Sequence, residues 1–427
     1  MIDRPGLAPR LAATAWTPRS RAVLAIAMVT LTGSLVFYMQ GPYGHGDISI
    51  YHRYALAFWS GPAPLRTLPA EYPPLSLVAF TLTLLPPAAN YVSVFGLWML
   101  LLFTVGYVAI RSRESPRAAE VCAVYLVLGC LATLLGRYDL VPAATVVVAY
   151  WAARQGRFRL AYAMLALGTL LKLYPLLLVP VLVLEQYRTL HVDPLRTRPP
   201  RPVVLGVALF AAAVGGVFAL SAMLDPDGWL GPFTFNAHRP LQVESVPASV
   251  LWVTGLAGMP TAADRSFNSY NLVGSASGLI GALAEVALVA GCLAVYWRQL
   301  TRRLAFGRAL TLCLLVVICT TRVLSPQYLM WVLPLVAIAE QDYDPVWLAV
   351  CALTTLVFPY AYDWTHLRGQ PMPHSYPAFF PALIAARNVL LVAATVRFAR
   401  ARAPLPRWVE PAPAMPSRRV RDGSWPD

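Results

Sequence analysis

The sequence predicts an all-α, polytopic integral membrane protein, and three observations carry that prediction. Of its 427 residues 58% are hydrophobic and only 13% are charged, about half the charge of an average soluble domain. Apolar runs of about twenty residues, the length that crosses a hydrocarbon core as a helix, recur from Arg21 to the neighbourhood of Arg397. The arginines gather in short clusters between those runs, which is the pattern of positive-inside topology.

The net charge of +14 does not indicate nucleic acid, because the basic residues form no aromatic-interleaved surface. All six cysteines (Cys122, Cys130, Cys292, Cys313, Cys319 and Cys351) fall inside apolar segments and none forms a CxxC pair, so neither disulfides nor a zinc site is indicated. The first apolar run, Arg21 to Met39, has basic residues before it and no small-residue cleavage site before Gln40. It therefore reads as a retained helix. Residues 1–20 and 399–427 lack the apolar content to fold and are expected to be disordered cytoplasmic ends of a single transmembrane domain over 21–398. No internal repeat is visible.

Apolar candidates lie near residues 21–39, 73–89, 90–110, 118–135, 139–153, 160–171, 174–187, 203–223, 272–297, 305–320, 324–339, 345–360 and 377–397. Arginine decides which of them cross. If 73–89, bounded by Pro73-Pro74 and Pro86-Pro87, lies at the outer interface, and if Lys172 and Pro175 separate two crossings, both termini are cytoplasmic. In that arrangement 25 of the 34 basic residues are internal. Letting 73–89 cross and fusing 160–187 would instead export Arg111, Arg113, Arg117, Arg154, Arg157 and Arg159 in short loops, against the positive-inside rule. About twelve crossings are expected, with outer loops near 40–72, 136–139, 172–173, 224–271, 321–324 and 361–376.

That topology collects polar residues on one side. The first outer loop carries Gly44-His45-Gly46-Asp47 and His52-Arg53, then Glu71-Tyr72-Pro73-Pro74. Later loops carry Arg137-Tyr138-Asp139, Lys172-Leu173-Tyr174-Pro175, His238-Arg239 through Glu244-Ser245, and Thr321-Arg322 through Ser325-Pro326-Gln327-Tyr328. Lys172 is the single lysine among 34 basic residues. A compact ammonium at the end of an apolar helix serves either as a phosphate ligand or as a snorkelling interfacial charge.

Five of these pieces, in this order across roughly residues 40–340, resemble the polyprenyl-phosphate-sugar-dependent transferases of the GT-C superfamily, specifically glycosyltransferase family 87. They are Asp47, Glu71-Tyr72-Pro73-Pro74, Lys172-Leu173-Tyr174-Pro175, the His238–Ser245 stretch and Ser325-Pro326-Gln327-Tyr328. The resemblance implies a helical GT-C fold in the cell membrane with an extracytoplasmic active site, and Asp47 as catalytic base. It also implies a juxtamembrane helix after the first loop, which the arginine count already requires. The donor implied is a polyprenyl-phosphate sugar, most readily mannose, and the acceptor a glycolipid or glycan.

Inverting transfer from a lipid phosphate to a hydroxyl needs a carboxylate to take the hydroxyl proton and cations to stabilise the departing phosphate. Asp47 fits the first role, its alternative being a cap for the helix beginning at Ile48. Lys172, Arg239 and Arg322 are candidates for the phosphate. Arg137 and Asp139 are expected to pair and brace the site, with acceptor orientation by Asp139 as the other reading. Glu71, Tyr72, His238, Glu244, Gln327 and Tyr328 complete the substrate-binding set. His45, His52 and His238 match no metal motif, so neither metal nor cofactor is expected. Glu285 and Arg387, inside apolar segments, are expected to face the bundle interior or water and to pair with each other. An arabinose-donor transferase and a lipid-linked-sugar transporter or flippase are the alternatives. Transporters place their polar residues near the midplane and often show inverted repeats, neither of which this sequence displays.

Overall fold

A computed structural model describes residues 16–40, 46–195, 198–365 and 375–401. The expectations for His45, for the first fifteen residues and for the tail beyond 401 lie outside the described residues. Helix α1 begins at Pro18, three residues before the expected crossing, and runs to Gln40.

The apolar segments expected to cross are helical, and they divide into two groups for a physical reason. Six are long and apolar enough to cross a bilayer: α1, α4 (Tyr91–Arg113), α9 (Arg201–Leu224), α12 (Ser277–Leu300), Pro345–Trp364 and α17 (Phe379–Arg400). The stretch Pro345–Trp364 is α15 (Pro345–Thr355) continued through a π turn into α16 (Tyr362–Trp364). The others are shorter: α5 (Pro116–Cys130), α6 (Leu140–Arg154), α7 (Phe158–Leu171), α8 (Val179–Thr189), α13 (Phe306–Thr320) and α14 (Leu329–Glu340). A 15-residue helix such as α13 rises only about 22 Å, short of a hydrocarbon core of about 30 Å. These short helices are also the inner ones, and α14 is buried without a break from Leu329 to Ile338. Non-helical backbone is tolerated at membrane depth only inside protein or against a cavity. Here α7 ends beside Lys172, α13 ends at Thr320, and α14 starts after Gln327 and Tyr328, all four of which line one cavity. The turns missing from the inner helices are the space of that cavity.

Local sequence sets several helix starts. Ser115 caps α5 by accepting from the amide of Ala118, with Pro116 in the first helical position, and Asp344 caps α15 through the amide of Val346, followed by Pro345. The segment 73–89 does not make a crossing helix. It forms α3 (Ser76–Thr81) and the 3-10 turn Leu82–Leu84, and another 3-10 turn follows at Ala88–Asn90. This broken segment packs on α2 (Gly46–Ser60) through Tyr51 and Phe80, whose rings stack at 4.4 Å. The segment is too broken to cross, as expected.

The loop expected over 224–271 is more ordered than its composition suggested. It contains α10 (Gly231–Ala237), α11 (Val246–Leu256) and an antiparallel hairpin of β1 (Thr261–Ser266) and β2 (Ser269–Gly274). The hairpin takes residues 272–274, which the hydropathy pattern had assigned to a crossing, because Leu272 donates its amide to Leu241 and faces the protein instead of lipid. Phe267 and Asn268 both adopt left-handed φ near +52°, the geometry that a two-residue hairpin turn requires.

At the opposite end of the bundle the arginine clusters find their partners. Arg19 meets Glu120 at 3.0 Å, Arg154 meets Glu114 at 3.0 Å, Arg397 meets Asp344 at 3.0 Å, and Arg117 meets Asp342 at 2.5 Å. The segments expected inside thus converge at one end and those expected outside converge at the other, as an even number of crossings between successive outer loops demands.

Candidate active site

One cavity of about 630 Å³ gathers side chains from all six segments expected on the outer side. Asp47 enters it from the first turn of α2, where Gly46 takes a left-handed φ of +52°. Its carboxylate pairs with Arg137.

The expected Arg137–Asp139 brace does not form. Arg137 turns to Asp47, while Asp139, which is fully buried behind the cavity wall, accepts from Lys172 Nζ at 2.6 Å and from Trp331 Nε1 at 2.8 Å. The two stand two residues apart just ahead of α6, and each found a counter-ion on a different element. Lys172 follows α7 with extended backbone, since Pro175 has no amide with which to continue the helix. Its ammonium lies within 5.3 Å of the ring centres of Tyr138, Tyr328 and Trp331, a cage that holds a cation at the cavity edge.

Arg239 and Arg322 reach the cavity from two stretches that are sewn together. The Gln242 amide donates to the Arg322 carbonyl at 2.9 Å, and the Gln242 side chain accepts from the Leu324 amide at 2.7 Å and donates to Ser325 Oγ at 3.3 Å. Arg239 lies over Phe235. Glu71 accepts from Asn268 at the hairpin turn at 2.6 Å, and burial pushes its carboxyl above the usual range, against the pull of Asn268, Arg239 and Arg53. Tyr72 lines the cavity and packs edge-on against Tyr51, Phe80 and Tyr138.

The sequence profile of glycosyltransferase family 87 matches residues 71–326, more than half of the chain. The chain belongs to glycosyltransferase family 87. No curated protein matches it in sequence. Among solved structures, ArnT from Cupriavidus metallidurans bound to undecaprenyl phosphate is similar at 18% identity and a TM-score of 0.47, over 91% of this chain and 73% of that one.

The family 87 resemblance drawn from the five motifs therefore holds, and the positions of the expected site residues can be set against it. Asp47, Glu71, Tyr72, Arg137, Lys172, Arg239, Glu244, Arg322, Gln327 and Tyr328 all line the cavity. Asp139 and His238 do not. His238 is exposed and its Nδ1 sits 2.7 Å from the Thr234 carbonyl, one turn back on α10. His52 stacks on Tyr91 with its Nδ1 3.2 Å from Thr83 Oγ1. Among the described residues no three His, Cys, Asp or Glu side chains converge on a metal position.

The expected Glu285–Arg387 pair is replaced by two others. Glu285 meets Arg322 at 2.7 Å, and Arg387 lies 3.7 Å from the Glu244 carboxylate while donating to the Glu244 carbonyl at 2.8 Å. Hydropathy had marked both as charges within apolar segments but carries no information about which helix faces which. Tyr362 also donates to Glu244 at 3.0 Å, and Asn388 holds the carbonyls of Glu244 and Ser245. Burial pushes the Glu244 carboxyl up to about 7, against the opposing pull of Arg387, Tyr362 and Arg137.

Among the described residues, the buried polar atoms of cavity-lining side chains without a hydrogen-bond partner include Tyr174 Oη and Gln327 Oε1. Buried polar groups are nearly always satisfied, so an acceptor and a hydroxyl left open on a cavity wall suit a hydroxyl-rich ligand. Tyr174 sits inside the Lys172–Pro175 motif, and a hydroxyl in that motif was the signal for it. Asn268 and Tyr362 had no such signal, because their places depend on the hairpin and the π turn.

Proposed function

We propose that this family 87 member is an inverting transferase that moves a sugar, mannose in the first instance, from a polyprenyl-phosphate donor to a hydroxyl of a glycolipid or glycan. In this reading the cavity opens on the extracytoplasmic face, both termini are cytoplasmic, and residues 21–398 form a single transmembrane domain. The observation that carries it is the meeting of one carboxylate, Asp47, with Lys172, Arg239 and Arg322 around one cavity of about 630 Å³, the size range of small-molecule sites.

The roles follow from the chemistry. Asp47 accepts the acceptor hydroxyl's proton as the bond to the anomeric carbon forms, and the lipid phosphate leaves with the electrons of the broken bond. Arg137 holds the Asp47 carboxylate in place. Arg239 and Arg322 are not both consumed by carboxylates in the wall, and with Lys172 they supply positive charge where the departing phosphate gains negative charge. Tyr174, Gln327, Glu71 and Glu244 offer hydrogen bonds to sugar hydroxyls. The concentration of polar groups at one end of the bundle favours transfer over transport.

The test is direct. Purified protein in detergent, given polyprenyl-phosphomannose and a glycolipid acceptor, should release polyprenyl phosphate, and Asp47→Asn should abolish release while leaving expression intact. Unchanged release in that variant would remove Asp47 from the role of base, and movement of intact donor across vesicles without cleavage would make the protein a transporter. Replacing the donor by its arabinose analogue decides the sugar.

A further inference from the structure

We propose that Glu285 is a displaceable counter-ion at the lipid-phosphate site: it holds Arg322 until a polyprenyl phosphate takes its place, and the polyprenyl chain leaves the cavity across its face of α12. The inference rests on the proposed function, since it assumes a lipid-phosphate ligand.

Helix α12 is one of the lipid-facing helices, with Leu283, Val286 and Val289 each more than half exposed. Glu285 stands among them with 62% of its side chain exposed. It lies eight residues into the helix, about 12 Å from the first residue, where an ionised side chain is costly unless it serves a purpose. Its partner is Arg322 Nη2 at 2.7 Å, and Arg322 is 30% exposed and lines the cavity. One turn earlier on the same face is Gly281, where a Cβ would stand 3.2 Å from the Arg322 Cζ. The guanidinium therefore lies flat on α12 in a space that a glycine leaves open.

Glu285 and Leu288 both line the cavity from this stripe of α12. Leu176, Leu177 and Val317 line the same cavity and give it apolar wall beside its cations. A phosphate on a polyprenyl chain has that same division, and its chain reaches lipid only through an apolar gap. Apart from Glu285, the guanidinium has a long 3.5 Å contact to the Arg239 carbonyl and an Nε with no partner. A phosphate offers the fork of acceptors that a guanidinium prefers. A phosphate gripped by that fork would stand within a few ångströms of the Glu285 carboxylate on the same guanidinium, and the repulsion between the two anions makes them exchange. Because the released monoester carries more negative charge than the donor diester, the nearby carboxylate also favours release of the product.

Equilibrium binding of radiolabelled undecaprenyl phosphate to the full-length protein in detergent tests this. Glu285→Gln should bind on the order of ten-fold more tightly than the native protein, Glu285→Asp should stay close to native, and the tightening should vanish when Arg322→Gln is combined with Glu285→Gln. Unchanged or weaker binding by a Glu285→Gln protein with a native melting curve overturns the proposal. A Glu285→Gln protein that melts early is replaced in the comparison by Glu285→Ala, on the same criterion. If the native protein does not bind the lipid phosphate at all, the proposed function fails with it, whereas native binding that is merely insensitive to Glu285 leaves that function standing.

Discussion

Replacing Lys172 by methionine separates what this lysine does for the fold from what it does for the reaction. The Lys172–Asp139 pair is nearly dry, with side-chain exposures of 16% and 1%. Without the ammonium, Asp139 keeps only the Trp331 indole on Oδ1, and Oδ2 has no partner already. Leaving one charge of a buried pair alone typically costs about 3–5 kcal/mol. Loss of the aromatic cage around the cation, from Tyr138, Tyr328 and Trp331, adds roughly 1 kcal/mol. Lys172→Met should therefore melt several degrees earlier in detergent. Lys172→Met with Asp139→Asn should recover most of that loss, because the amide is uncharged and its oxygen still accepts from Trp331. Donor cleavage should stay lost in both proteins if the ammonium also meets the phosphate. A single variant as stable as the native protein would refute the ion-pair argument, and a double variant that cleaves donor normally would confine Lys172 to neutralising Asp139.

Three further outcomes are expected. The Glu244 carboxyl is raised by burial to about 7 from an ordinary 4.5, so the folded protein binds more protons than the unfolded chain between those values. Stability from this group is complete below about pH 4.5 and is lost as pH rises through about 7, on the order of 3 kcal/mol in total; melting curves of Glu244→Gln should lack that component, and an identical pH profile would remove Glu244 as its source. Tyr174→Phe removes a buried hydroxyl with no partner and should hold or raise the melting temperature, by up to about 1–3 kcal/mol of relieved desolvation, while raising KM for a substrate whose hydroxyl it meets. Normal KM in that variant would take Tyr174 out of the binding set. Arg113, exposed at the end of α4 opposite the cavity, should as Arg113→Cys resist a membrane-impermeant thiol reagent applied outside intact cells, and ready labelling would reverse the proposed orientation.

The membrane body was legible because hydropathy and arginine placement are properties of short windows. Each apolar run must satisfy its own backbone in lipid, so it becomes a helix whatever its neighbours do. The same logic held 73–89 out of the crossing set, and the structure breaks it into a six-residue helix and short turns. Local windows say less about 224–271, where the hairpin owes its place to pairing with Leu241, Gln242 and Val243. Pairing across thirty residues leaves little trace in local composition.

The site shows the same division at the level of side chains. Ten of the twelve expected site residues line the cavity, because motifs on successive outer connections of an even-crossing bundle must share one end of it. Their partners were not readable. Arg137 reaches Asp47 and leaves Asp139 to Lys172, and Arg322 takes Glu285 while Arg387 takes Glu244. An ion pair depends on the rotation of two helices about their axes, and one residue of rotation turns a side chain by about 100°. The sequence alone determined that this chain lives in a bilayer as a helical bundle with its polar motifs at one end, since solvent preference acts on each segment separately. Which carboxylate faces which cation, how short the inner helices are, and where Arg322 meets the lipid side were decided only by packing those helices against one another, since that fixes rotations and depths that no segment can set for itself.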